Sequence, residues 1–136
     1  MGGRGRKSLL FLALLSLVLV GLSLTAGGCD DDGGVKATVN AYYDAVARGD
    51  KGGQIAQWLP DRQAEAAREA DAWTARDKDG LKIAELHVTD GPTGDQRLVH
   101  LTIASNDKAR PGRLRYETKT LLVQQVPGGW RIRDAR

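Results

Sequence analysis

Three kinds of side chain in this sequence could do chemistry: the single cysteine, Cys29, the adjacent phenols Tyr42 and Tyr43, and the two histidines, His87 and His100. A thiol can attack, pair with another thiol or accept a covalent group, and one cysteine excludes an internal disulfide. A tyrosine can donate a proton inside an apolar pocket when a carboxylate base stands beside it. Asp44 follows the two tyrosines, but adjacent positions on a helix point in different directions. Glu117 lies between Arg115 and Lys119 on a face that reads as exposed. No carboxylate is thus placed against the phenols, and no catalytic residue is assigned. His87 and His100 fall in strands at no diagnostic spacing. They could enter a metal site or, with Asp44 or Glu85, a proton relay, although ordinary surface positions are the simpler reading. No serine-centred nucleophile motif, phosphate loop or zinc spacing occurs. Neither a metal nor a cofactor is expected.

Cys29 takes its meaning from what precedes it. Met1–Lys7 is a short basic segment, and Leu9–Leu24 is apolar except at Ser16, Gly21 and Ser23. As a helix, its sixteen residues would span about 24 Å, short of a hydrocarbon core of roughly 30 Å. The run therefore reads as the apolar part of an export signal, with the positive end left inside. Small residues then lead to Cys29. The sequence Ala26-Gly27-Gly28-Cys29 resembles the processing site of bacterial lipoproteins. That resemblance implies a diacylglyceryl thioether on Cys29, cleavage before it and acylation of the new amino terminus by a chain of the palmitate type. Two chains hold a protein stably on a membrane where one does not. An incidental cysteine after an ordinary signal, or an uncleaved anchor, remains as an alternative. Each version places the domain on the extracytoplasmic face of the cell membrane. Asp30–Gly34 reads as a flexible tether.

The charge divides at the same place. Removing Arg4, Arg6 and Lys7 from the twenty basic residues leaves seventeen, equal to the seventeen acidic ones. The part after Cys29 is formally neutral, which removes the electrostatic argument for a nucleic-acid partner. Without a disulfide, this part must be held by its core or by partners.

The elements that would position these side chains follow from periodicity. Val35, Val39, Tyr42, Tyr43 and Val46 lie on one face of a helix, which Gly49 ends. Arg48-Gly49-Asp50 matches an adhesion tripeptide, but its role as a helix end already explains it. A short helix over 54–59 stops at Pro60. A third, capped by Asp61, carries the stripe Ala64, Ala67, Ala70 and Trp73. From Leu81 the period becomes two, with strands predicted at 82–89, 97–105, 114–126 and 130–134. Val99, Leu101 and Ile103 form the inner face of the second strand. Leu114, Tyr116, Thr118, Thr120 and Leu122 are expected to face the core from the third. Trp130 and Ile132 share a face of the fourth. Short links between consecutive strands predict an antiparallel meander.

Helices followed by four strands make an α+β plan. The helix ending Ala47-Arg48-Gly49-Asp50 and the closing Gly128-Gly129-Trp130-Arg131-Ile132 resemble the nuclear transport factor 2-like superfamily, especially its small exported members of unknown function. The superfamily includes ketosteroid isomerase-like enzymes, polyketide cyclases and dehydratases. It also includes many non-catalytic binding domains, so the fold does not choose the function. The resemblance implies helices packed in the concave face of a bent four-stranded sheet. The resulting cone could hold a small apolar ligand against Tyr42, Tyr43, Trp58, Trp73, Tyr116 and Trp130. The expected organisation is a signal over 1–28, the lipidated cysteine and tether over 29–34, and the cone domain over 35–136. A non-catalytic binding or accessory role at the cell envelope is expected, with an envelope protein or a small apolar ligand as partner and a homodimer as a further possibility. An isomerase or dehydratase is the alternative.

Overall fold

The computed structural model describes residues 31–136. Helix α1 spans Asp31–Arg48, α2 spans Lys51–Ala56 and α3 spans Gln63–Thr74, the last entered through a 3₁₀ turn at Pro60–Arg62. Four strands follow: β1 (Lys82–Asp90), β2 (Gln96–Asn106), β3 (Leu114–Val126) and β4 (Gly129–Ala135). They pair antiparallel in chain order as one sheet. The α+β architecture and the meander agree with the expectation. Cys29 and the apolar run lie outside the described residues. No helix of the described residues is long and apolar enough to cross a membrane.

Helix α1 forms where its apolar spacing predicts, and Val35, Val39, Tyr42, Tyr43 and Val46 are all buried. It ends in a left-handed Gly49, φ 69°, a conformation open to glycine at little steric cost. Its start differs from expectation, because the helix includes Asp31–Gly34, where a tether was predicted. Gly34 passes so close to Trp130 that a β-carbon there would lie 2.9 Å from the indole Cδ1. The buried Thr38 hydroxyl donates to the Trp130 carbonyl at 3.1 Å and lies 3.2 Å from the Gly34 carbonyl. Asp32 adds negative charge to the first turn, where the helix dipole favours it. Gly34 thus allows close docking at the start of the domain.

Asp50 caps α2 by accepting from the Gly53 amide at 2.9 Å, so that helix begins and ends earlier than predicted. Pro60 opens the next turn, and Asp61 provides no cap there. The buried stripe of α3 is Ala66, Ala70 and Trp73. Ala64 is exposed, so the expected stripe is displaced around the helix. Between α2 and α3 the chain pairs with the sheet edge. The Leu59 amide donates to Ile132 O at 2.9 Å, and the Ile132 amide donates to Gln57 O at 2.8 Å. This bridge covers part of the β4 edge, which would otherwise offer unpaired backbone groups. Irregular register at Ile83/Glu85 and Leu122/Val123 is of the kind that bends a sheet. Gly128, φ 87°, follows Pro127 in the tight turn before β4, as a Pro-Gly turn requires.

Val99, Leu101, Ile103, Trp130 and Ile132 line the inner face as predicted. On β3 the expectation is inverted. Leu121 and Val123 are buried, whereas Leu114 and Tyr116 are 39% and 61% exposed. The inner face of β3 is therefore the odd-numbered one and includes Glu117 and Lys119. Charged residues occupy it near the helices because they neutralise one another there. Leu121→Ala should cost about 2–5 kcal/mol through the cavity it leaves. Leu122→Ala, half-buried on the opposite face, should cost about 1 kcal/mol. Denaturant unfolding of the two variants measures the difference, and equal losses would contradict this register.

Candidate functional site

Two regions gather the side chains with chemical potential, one inside the cone and one outside. Inside, α1 carries Tyr42 and Tyr43 toward the sheet because both fall on the stripe begun by Val35 and Val39. Their rings meet edge to face, with centroids 5.0 Å apart and planes at 81°. Tyr42 meets Trp58 at 6.5 Å, and Tyr43 meets Trp73 at 6.1 Å, again edge-on. Such pairs contribute about 0.5–1.5 kcal/mol each beyond the area they bury. Trp58 comes from the segment bridged to β4, and Trp73 from the last turn of α3. Four of the aromatic groups expected to line a pocket are thus packed against one another.

Burial pushes the Tyr42 hydroxyl up to about 12, with the Trp73 and Trp58 indoles opposing and the Glu69 charge adding to the rise. The buried Trp58 Nε1 makes no hydrogen bond among the described residues. Burial also drives the Tyr43 hydroxyl upward, reinforced by Tyr42, Glu117 and Glu69 and opposed by Arg76. Glu69 thus acts on both phenols, and Glu117 acts on Tyr43 ahead of it. From sequence alone Glu117 reads as exposed, between Arg115 and Lys119. The odd parity that it shares with Leu121 and Val123 was the available signal.

Glu117 is held by two cations. Arg76 hydrogen-bonds its Oε2, and Lys119 Nζ lies 3.3 Å from its Oε1. Arg76 also stacks over Trp73, its Cζ 4.4 Å from the ring centroid, and Lys119 Nζ lies 5.9 Å from the same ring. Partial burial alone would raise the carboxyl, but the Arg76 and Lys119 hydrogen bonds and charges outweigh it and hold Glu117 below its ordinary 4.5. A proton-abstracting carboxylate needs the opposite tuning, toward the operating pH. The arrangement caps the aromatic interior with an ion pair.

Outside, a shallow depression of about 420 Å³ includes Glu85, His87, His100, Thr102, Thr118 and Thr120 in its lining. His87 and His100 are direct register partners on β1 and β2, so the topology brings together the two histidines that sequence spacing left apart. A second depression, about 260 Å³, continues the face through Leu98 and Leu122. A third, about 210 Å³, places Trp58 beside Glu65, Arg68 and Glu69 at the margin of the cone. Neither tyrosine of α1 lines any of these. Trp130 is buried under the start of α1, with the Arg97 guanidinium 5.7 Å from its ring centroid. Tyr116, expected to join the interior group, stands exposed on the outer face.

Neither a family model nor a curated protein matches the chain. Solved structures do. A proposed dehydratase of the NTF2-like family from Streptomyces avermitilis is 22% identical, over 78% of this chain and 94% of its own, with a TM-score of 0.59. An NTF2-like protein with a cystatin-like fold from Novosphingobium aromaticivorans is 18% identical over 86% of each chain, with a TM-score of 0.60. An NTF2-like protein of unknown function from Shewanella oneidensis is 16% identical over 76% of this chain and 95% of its own, with a TM-score of 0.55. The domain has the NTF2-like cone fold, as the sequence resemblance implied. At these identities the likeness is one of fold.

The interior makes a prediction at each end of the pH scale. Tyr42 ionises less readily in the fold, so its contribution is complete below its ordinary 10.0 and is lost as pH rises toward about 12. In a Tyr116→Phe protein, the remaining tyrosinate absorbance should appear together with loss of near-ultraviolet circular dichroism. Ionisation ahead of that loss would show the phenols accessible. Glu117 is lowered, so its contribution is present above 4.5 and fades as pH falls through its folded value. Glu117→Gln should flatten the acid limb of the stability–pH profile.

Proposed function

We propose that this protein is an exported lipoprotein, anchored through Cys29 to the extracytoplasmic face of a cell membrane, whose cone domain is a non-catalytic binding or accessory module of the cell envelope. The single observation that carries the non-catalytic part is the filled interior. Tyr42, Tyr43, Trp58 and Trp73 pack ring against ring, and Glu117, one of the two carboxylates whose charge acts on a phenol, is paired to Arg76 and Lys119. The anchor is supported by Ala26-Gly27-Gly28-Cys29 after an apolar run, and by basic residues before that run. Binding then falls to the outer sheet face and the loops, where an envelope protein or a second copy could dock.

One observation favours the second reading, an isomerase- or dehydratase-type enzyme: Glu117 and the Tyr43 hydroxyl interact electrostatically at one end of the interior. That chemistry requires Arg76 to swing away and an apolar space to open beside the phenols.

Two measurements test these readings separately. Cells given a fatty-acid probe should label the wild-type protein and leave Cys29→Ala unlabelled; an unlabelled wild type removes the anchor. For the interior, the folded protein should leave the apolar dye anilinonaphthalene sulfonate dark. Saturable one-to-one binding that Tyr43→Phe alters, without unfolding, would put the enzyme reading ahead.

A further inference from the structure

We propose that His87 and His100 form a two-imidazole chelating site for a divalent transition ion of the zinc, nickel or copper type, on the open face of the sheet. The site is independent of the lipid anchor and of what occupies the cone.

His87 and His100 face each other across β1 and β2. Both alternate with inward residues, Leu86 and Val88 on β1 and Val99 and Leu101 on β2, so both imidazoles stand on the same outer face. Both are exposed. Directly opposed residues have β-carbons about 4.5–5.5 Å apart, close enough for two imidazole nitrogens to share one ion at about 2.0–2.1 Å from each.

The surroundings of His100 orient its ring. Its Nδ1 lies 3.5 Å from Thr120 Oγ1 on β3, and its Nε2 lies 3.3 Å from Thr89 Oγ1 on β1. The Nε2 edge is thus turned toward the strand that carries His87. When the Thr120 hydroxyl accepts from Nδ1–H, the lone pair is left on Nε2, as metal-ligating histidines require. The Thr89 hydroxyl then donates to Nε2 when no ion is bound and withdraws when one is. The His87 imidazole makes no hydrogen bond or ion pair among the described residues, so it gives up no partner on binding. Glu85, Thr102 and Thr118 share the depression. Among the described residues, no three histidine, cysteine, aspartate or glutamate side chains cluster to hold a metal, so water completes the coordination. Imidazole donors favour zinc, copper and nickel over magnesium and calcium, which prefer oxygen.

The test uses full-length protein without a histidine tag, carrying Cys29→Ser so that the thiol cannot bind. Calorimetric titration with Zn²⁺, Ni²⁺ and Cu²⁺ should show one ion per chain. His87→Ala and His100→Ala should each weaken binding at least tenfold. Thr120→Val should weaken it less, through loss of ring orientation. Mg²⁺ and Ca²⁺ should neither bind nor compete. Circular dichroism checks that the variants remain folded, as substitutions at exposed positions should. Copper electron paramagnetic resonance should read two imidazole nitrogens in the parent and one in each histidine variant. Unchanged affinity in either histidine variant, competition by Ca²⁺, or fewer than two nitrogens in the parent would each overturn the proposal.

Discussion

Helix α1 presents Val35, Val39, Tyr42, Tyr43 and Val46 to a sheet whose inner face carries Val99, Leu101, Ile103, Leu121, Val123 and Ile132, and neither surface is covered without the other. Fully burying each large apolar side chain contributes about 1.5–3 kcal/mol, against roughly 1–2 kcal/mol of backbone entropy for each residue ordered. The helix begins with two glycines in its first turn and could not persist alone. A four-stranded meander with one face open would leave its apolar side in water. The contact therefore sets where α1 begins and the side of β3 that turns inward. It also explains why Gly34 lies against Trp130, since a β-carbon there would drive the helix start off the sheet.

The same contact shapes the electrostatics. Large rings in the cone bury Tyr42 and Tyr43, which disfavours the charged form of both phenols. At the rim, where the rings meet solvent, Glu117 and Lys119 occupy inward positions on β3, and Arg76 closes over Trp73. A carboxylate facing an aromatic interior would be costly if unpaired. Paired twice, it is favoured in its charged form. The coupling between Glu117 and Tyr43 thus accompanies a cap on the core, although the same two residue types would suit an acid–base site if the cations were absent.

Much of this was legible in the sequence, and the misses have physical causes. The stripe of α1 and the inner faces of β2 and β4 could be read directly, because each is a run of large apolar residues at a single period. β3 misled because its first half carries Leu114 and Tyr116 at even positions, while its second half carries Leu121 and Val123 at odd ones. Only contact with the helices decides which half defines the core, and that contact falls on the second. Asp31–Gly34 looked like a tether because glycine and aspartate are poor helix formers. Docking against Trp130 overrides that propensity. The histidines show a different limit, since their opposition depends on a register set by the whole β1–β2 hairpin and by the irregularity near Ala84.

The ring-to-ring packing inside the cone also bears on where the domain can meet other molecules. A ligand held between helix and sheet would need apolar volume there. Here the rings support one another, so opening a cavity would require breaking edge-to-face contacts and burying the ligand in their place. The outer face carries no such conflict. Its residues at His87, His100, Thr102, Thr118 and Thr120 contribute little to the core, and substitutions there can change recognition with small effects on stability. The alternation of the strands thus divides one sheet into a side that supplies cohesion and a side that faces solvent.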